Sequence, residues 1–326
     1  MQRKQFLKTL VAAAALGATA LASQAQAQAW PSKPVKLVLG APAGTAPDIA
    51  ARIMGDRLAA LWGQPVLIEN KPGAGGMLAM EQVRTSPADG YTLMFAHAGA
   101  VLVTPKILKA AKYDPVNDFS TLGFVADSPM MIVANNEAGG KTVADLLAAA
   151  KAKPGQVVVG STEQATLPFL VGHSIADATG STFQHVPFNQ PATAIQSLVK
   201  GDLQYYIDGI GPLLPLVKSG RMRAIAVTTT SRLPGLEEVP LVKDTVPNYS
   251  AVGWFALLGP KGLPADMAQK INKDMTTALM APETVAKYRE ISLFSTPRNQ
   301  TESVTFLKSE VDRWAAVIKK VGLEPQ

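Results

Sequence analysis

The chain has no cysteine in its 326 residues, which excludes disulfides, thiolate metal ligands, cysteine nucleophiles and lipid attachment through a cysteine. It also has little net charge once residues 1–29 are set aside: Arg3, Lys4 and Lys8 go with them, leaving 28 basic residues against 25 acidic ones. The remaining Lys and Arg are scattered and no aromatic residues interleave with them in a cluster, so no nucleic acid is expected as a partner. A mildly basic face still helps to draw in an anionic small molecule. Histidine is scarce, and His97, His173 and His185 do not fall in pairs at metal-ligand spacing. Gly160-Ser161-Thr162-Glu163-Gln164 lacks the G-x-S-x-G nucleophile elbow, and no Asp and His follow at positions that would complete a triad. No catalytic residue, metal or cofactor is therefore expected, and the chain does not read as an enzyme.

Long apolar runs are absent too, with one exception near the start. Basic Arg3, Lys4 and Lys8 flank an apolar stretch from Phe6 through Leu21, and Ala25-Gln26-Ala27-Gln28-Ala29 supplies an A-x-A cleavage site before Trp30. This is the pattern of a secretory signal peptide over residues 1–29, removed near Ala29. The stretch is too short and Ala-rich for the roughly 20 apolar residues of a membrane span.

What remains is 47% apolar over the whole chain, long enough for two domains, with no repeat, heptad run or Gly/Ser linker. Its opening stretch sets the pattern. Val35-Lys36-Leu37-Val38-Leu39 reads as a strand, Gly40 to Ala46 as a loop of small residues, and Asp48 as the opening of a helix that Gly63 ends. A loop at the carboxyl end of a strand, followed by a helix N-terminus with unpaired N–H groups, suits an anion. Gln64–Asn70 reads as a second strand. Gly73, Gly75 and Gly76 then precede a helix, without the lysine and hydroxyl of a P-loop or the G-x-G-x-x-G spacing. A third strand, Thr92 to Ala96, ends at His97-Ala98-Gly99-Ala100. Alternating strands and helices imply an α/β fold with a parallel sheet covered by helices.

Trp30-Pro31-Ser32-Lys33-Pro34-Val35, Gly63-Gln64-Pro65-Val66, Glu69-Asn70-Lys71-Pro72-Gly73-Ala74-Gly75-Gly76 and Asp89-Gly90-Tyr91-Thr92-Leu93 resemble the N-terminal lobe of the tripartite tricarboxylate transporter receptors, the Bug or TctC-type periplasmic solute-binding proteins. The likeness continues through Tyr113-Asp114-Pro115, Lys153-Pro154-Gly155, His185-Val186-Pro187-Phe188, Gly220-Arg221-Met222-Arg223 and Trp254-Phe255-Ala256. It implies a type II, two-lobed clamshell, each lobe a mixed sheet flanked by helices, with ligand held between them. Residues 30–128 and 252–326 would form the first lobe and residues 129–251 the second. Within the second, a helix Val143–Lys151, then strands Gln156–Gly160, Leu203–Asp208 and Ala224–Thr228 are expected; helices Pro264–Met280 and Thr301–Val321 would return to the first. Trp254 and Trp314 are expected in the core. The implied role is that of a periplasmic monomer that passes a small organic acid or carboxamide to membrane permease subunits. The alternative is a receptor that presents its ligand to a membrane sensor kinase.

In this family the ligand carboxylate is held mainly by backbone N–H groups and water at loop ends. The matching positions are Ala41, Ala43, Gly44 and Thr45; His97, Ala98 and Gly99; Ser161, Thr162, Glu163, Gln164 and Thr166; Asn189, Pro191 and Ala192; and Asp208. Helix N-termini stabilise an anion without Arg or Lys, by about 0.3–1 kcal/mol each. This chain departs from the family pattern. The first loop lacks the bulky aromatic of the common Pro-Phe-Pro-Pro-Gly-Gly-Ser, which should enlarge the cleft. Glu163 stands at a usual glycine position and Gln164 at a usual asparagine, and Asn189-Gln190-Pro191 stands for Lys-Gly-Ser. Glu163 and Asp208 across one cleft would disfavour a tricarboxylate, and Leu167 and Phe169 would suit an aliphatic or aromatic body.

Overall fold

The computed structural model describes residues 30–137, 139–164, 166–323 and 325; the expected leader lies outside the described residues. Among the described residues ten strands form one sheet. In chain order they are β1 (Val35–Leu39), β2 (Val66–Asn70), β3 (Thr92–His97), β4 (Phe119–Ala134), β5 (Val158–Thr162), β6 (Gln184–Phe188), β7 (Tyr205–Gly209), β8 (Arg223–Val227), β9 (Val252–Pro260) and β10 (Phe294–Ser295).

β2, β1 and β3 lie side by side and parallel, with Val35 opposite Val66 and Lys36 opposite Thr92. Parallel neighbours need crossovers, and helices provide them: α1 (Ala46–Trp62) follows β1, and α2 (Met77–Arg84) follows β2. α1 turns a stripe of Ala50, Ala51, Met54, Leu58 and Trp62 into the core. It stops at Gly63, whose φ of 64° is left-handed and whose N–H reaches the Ala59 carbonyl. The sequence-expected strand, loop and helix are all present, the helix beginning at Ala46 rather than Asp48.

β4 is the unexpected element. Its 16 residues are almost all buried, and at about 3.3 Å per residue it extends roughly 50 Å. From Phe119 to Pro129 it pairs antiparallel with β9, which in turn pairs with β3. From Met130 to Ala134 it pairs with β7, and from Met131 with β8 on its other side. β7, β5 and β6 then continue as a second parallel set. One strand thus joins two groups of parallel strands. Where it passes from one group to the other, Thr228 is fully buried: its backbone N–H donates to the Met130 carbonyl at 3.1 Å, and its hydroxyl donates to the Ala251 carbonyl at 2.5 Å. Gly253 permits the close approach there, since a Cβ on it would stand 2.8 Å from the Ser128 carbonyl oxygen.

The other helices are α3 (Thr104–Ile107), α4 (Val143–Ala152), α5 (Leu167–Thr179), α6 (Pro191–Lys200), α7 (Ile210–Lys218), α8 (Ala265–Met280), α9 (Pro282–Glu290) and α10 (Gln300–Lys320). Expected strands Gln156–Gly160 and Leu203–Asp208 are displaced by one or two residues toward the C-terminus. α9 lies where no helix was expected. α10 packs on β4 and β9 through Phe306, whose ring meets Phe124 edge-on at 4.6 Å. Trp254 and Trp314 are 1% and 2% exposed, the core positions anticipated for them.

Candidate functional site

The carboxyl ends of β1, β3, β5, β6 and β7 open on one cavity of about 480 Å³. β1 brings the loop Gly40–Ala46, of which Ala41, Gly44 and Thr45 line the wall, while Ala43 is exposed and stands off it. This loop is held from behind by Asp48, which is 2% exposed. The Gly44 N–H donates to Asp48 Oδ2 at 2.9 Å, Arg52 donates to both carboxylate oxygens, and Asn70 donates to Asp48 Oδ1 at 2.9 Å and to the Ala41 carbonyl at 3.0 Å. Burial alone would raise the Asp48 carboxyl, but the bonds from Arg52, Gly44 and Asn70 hold it below the usual range. Arg52 and Asn70 thus shape a loop they do not belong to.

The second loop supplies His97, Ala98 and Gly99 to the wall. Burial holds the His97 ring well below its ordinary value, at about 4, so it is neutral. Its Nδ1 accepts the Ala100 N–H at 3.2 Å, which leaves Nε2–H to bond the Gly40 backbone. His97 therefore ties the first loop to the second. The glycine-rich stretch after β2 serves the same junction: a Cβ on Gly40 would lie 2.6 Å from the Gly76 Cα, so two backbones meet where a phosphate cradle would have to be open.

From the third loop Thr162, Glu163 and Thr166 line the cavity. Ser161 does not: it is buried behind the wall with its hydroxyl donating to the Thr162 carbonyl at 3.0 Å, because successive strand residues face opposite ways. Gln164 is exposed and off the wall. Leu167 and Pro168 line it, but the expected Phe169 does not, lying 4.3 Å from the His173 ring and buried. Two residues apart on a helix is about 200° around its axis, so Leu167 and Phe169 cannot share one face. His173 and His185 stack at 3.6 Å away from the cavity. In the fourth loop Asn189 and Pro191 line the wall, and Ala192 does not. Asp208, at the end of β7, lines it too, accepting the Tyr206 hydroxyl at 2.9 Å and the Gly209 N–H at 2.7 Å. Burial pushes its carboxyl up to about 6 against those two bonds.

α1, α5, α6 and α7 all begin at this cavity, and among the described residues none has a side-chain cap. Thr45 and Thr166 occupy cap positions, yet their hydroxyls turn back to the Pro42 and Glu163 carbonyls, each at 2.7 Å. Side-chain capping boxes occur at α4 and α10, neither of which reaches the wall. Each first turn gives one position to a proline, Pro47, Pro168, Pro191 and Pro212, and the Thr193 N–H is bonded to the Gln190 carbonyl; the N–H groups that remain there meet no capping side chain.

Sequence reasoning missed the floor, formed by Ser128, Met130, Gly253, Trp254 and Phe255 where β4 and β9 run past each other. Their signal was available, since residues 128 and 252 were the expected crossings. Gly209, Gly211, Pro212 and Ile291 also line the cavity without having been expected there, as do Pro47, Ile49, Pro168 and Phe188.

The family model described as "Tripartite tricarboxylate transporter family receptor" matches residues 33–323. A Cupriavidus necator protein, described as a UPF0065 protein in the gbd 5' region, is 31% identical over 99% of this chain and 99% of its own length. Among solved structures, an R. palustris protein with adipate has a TM-score of 0.84 at 28% identity, covering 91% of this chain and 100% of that one. The periplasmic binding protein BugD has a TM-score of 0.81 at 26% identity, covering 91% and 100%.

Proposed function

This chain belongs to the tripartite tricarboxylate transporter receptor family of periplasmic solute-binding proteins, and from that membership we propose that it captures a small organic acid or carboxamide and delivers it to membrane permease subunits. The observation that carries the proposal is the cavity on which four helix N-termini open without side-chain caps. Such termini offer backbone donors and the positive end of the helix dipole, which suits a carboxylate or an amide carbonyl. Adipate in the R. palustris relative is a ligand of this kind. Residues 30–128 with 252–326, and residues 129–251, act as two lobes that close on it. Residues 1–29 direct export and are removed near Ala29.

The test is a thermal-shift screen of the mature chain against carboxylates, aromatic acids, amino acids and amides. A ligand at a hundredfold excess over Kd adds about 2.7 kcal/mol of stability, so binders stand out. Turnover of a ligand that also raises the melting temperature would overturn the receptor reading.

A further inference from the structure

Resting on that receptor reading, we infer that Glu163 sets the class of ligand: the end reaching the β6-β5-β7 side of the cavity carries a protonated amine, and the opposite end a single carboxylate. The placement follows from register. Thr162 lies opposite Phe188 of β6, and Ser161 opposite Ile207 of β7. The next residues of β5 and β6, Glu163 and Asn189, therefore emerge side by side, Asp208 of β7 stands level with Thr162 one residue before Glu163, and all three line the cavity. Asp208 is already engaged by the Tyr206 hydroxyl and the Gly209 N–H. Glu163 is not: its carbonyl receives the Thr166 hydroxyl, and among the described residues no donor or cation meets its carboxylate.

No Lys or Arg occurs among the described residues of the wall, and His97, the imidazole there, is neutral and occupied on both nitrogens. Among the described residues Glu163 and Asp208 on this side meet no cationic side chain, only the N-termini of α5, α6 and α7, while the β1 side offers the N-terminus of α1 and no acidic side chain on the wall. A half-buried carboxylate lacking a partner is poorly solvated, which is the direction of its titration shift, and a cation in the cavity would relieve it. A second ligand carboxylate would instead meet like charge, so the same residue repels diacids. Pro42, Ile49, Leu167 and Met130 add apolar surface to the wall for the body of such a ligand.

Two matched sets of probes test this: ε-aminocaproate, adipate and caproate, and para-aminomethylbenzoate, terephthalate and para-toluate. Each is titrated calorimetrically into the mature chain and into Glu163→Gln. Glu163 makes no side-chain hydrogen bond, so the variant should fold, which its melting curve checks. In the set that binds, the amino acid is expected to bind at least about tenfold tighter than the diacid, and Glu163→Gln to shrink that preference by about tenfold, equivalent to about 1.4 kcal/mol. Tighter binding of the diacid, or an unchanged preference in Glu163→Gln, overturns the inference and leaves the receptor reading standing. Failure of all six probes at millimolar concentration overturns this inference, while the receptor reading is decided separately by the thermal-shift screen.

Discussion

The Asp48 carboxylate accepts the Gly44 N–H at 2.9 Å, so a helix residue fixes the curvature of the loop that precedes its own helix. Three further donors converge on the same carboxylate, from Arg52 twice and from Asn70. Asp48→Ala should cost about 1–3 kcal/mol, because it removes the buried acceptor on which the Gly44, Arg52 and Asn70 donors converge. Urea unfolding measures that loss. Ligand affinity should fall with it, and an unchanged urea midpoint would contradict the latch.

Acid should loosen the junction at His97. Its folded value of about 4 lies below the ordinary 6.5, so between those values the unfolded chain binds more protons. The contribution of this ring is complete above about pH 6.5 and is lost as pH falls toward 4. His185, pushed down to about 3 by burial and by His173, acts in the same direction. His97→Gln should therefore make stability less steep across that window without flattening it. Denaturant melts at several pH values, with an NMR titration of the ring, test this; a His97 ring that protonates near 6.5 would refute it.

Glu310, 7% exposed, accepts the indole N–H of Trp254 at 3.1 Å and that of Trp314 at 3.3 Å. Trp254 is also part of the cavity floor. Glu310→Ala leaves two buried indole donors unmet and should destabilise by about 2–3 kcal/mol. Tryptophan fluorescence during urea unfolding reads the loss, and ligand titration of the folded variant should show weaker binding. Loss of stability with unaltered affinity would mean that α10 supports the core alone.

Ligand should draw the two groups of strands together, because polar contacts made from both sides of a cavity gain strength once water is excluded. Small-angle scattering with saturating ligand should give a smaller radius of gyration than without it. An unchanged radius would count against closure.

Most strand ends of the cavity were legible because each obeys a local rule: a Val- or Leu-rich run, then small residues, then a helix. The errors have geometric causes. Phe169 was assigned to the wall on polarity, although the helical period turns it away once Leu167 faces in. Ser161 lost its place to Thr162 through strand alternation. β4 is hard to read locally because Gly123 and Pro129 interrupt what would otherwise read as one strand, and pairing with β9 runs across both. The Asp48-Asn70 latch and the contact of Gly40 with Gly76 join residues more than twenty positions apart, a relation that no local pattern encodes.

β4 is hydrogen-bonded from Phe119 to Ala134, first to β9 and then to β7 and β8. A strand so clamped cannot swivel at one peptide as a free loop does; it can only twist along its length, in the manner of a torsion bar. Any movement of one group of strands against the other is then spread over many small dihedral changes, limited in amplitude and elastic in return. The strand that twists on loading would itself drive reopening once the guest has gone.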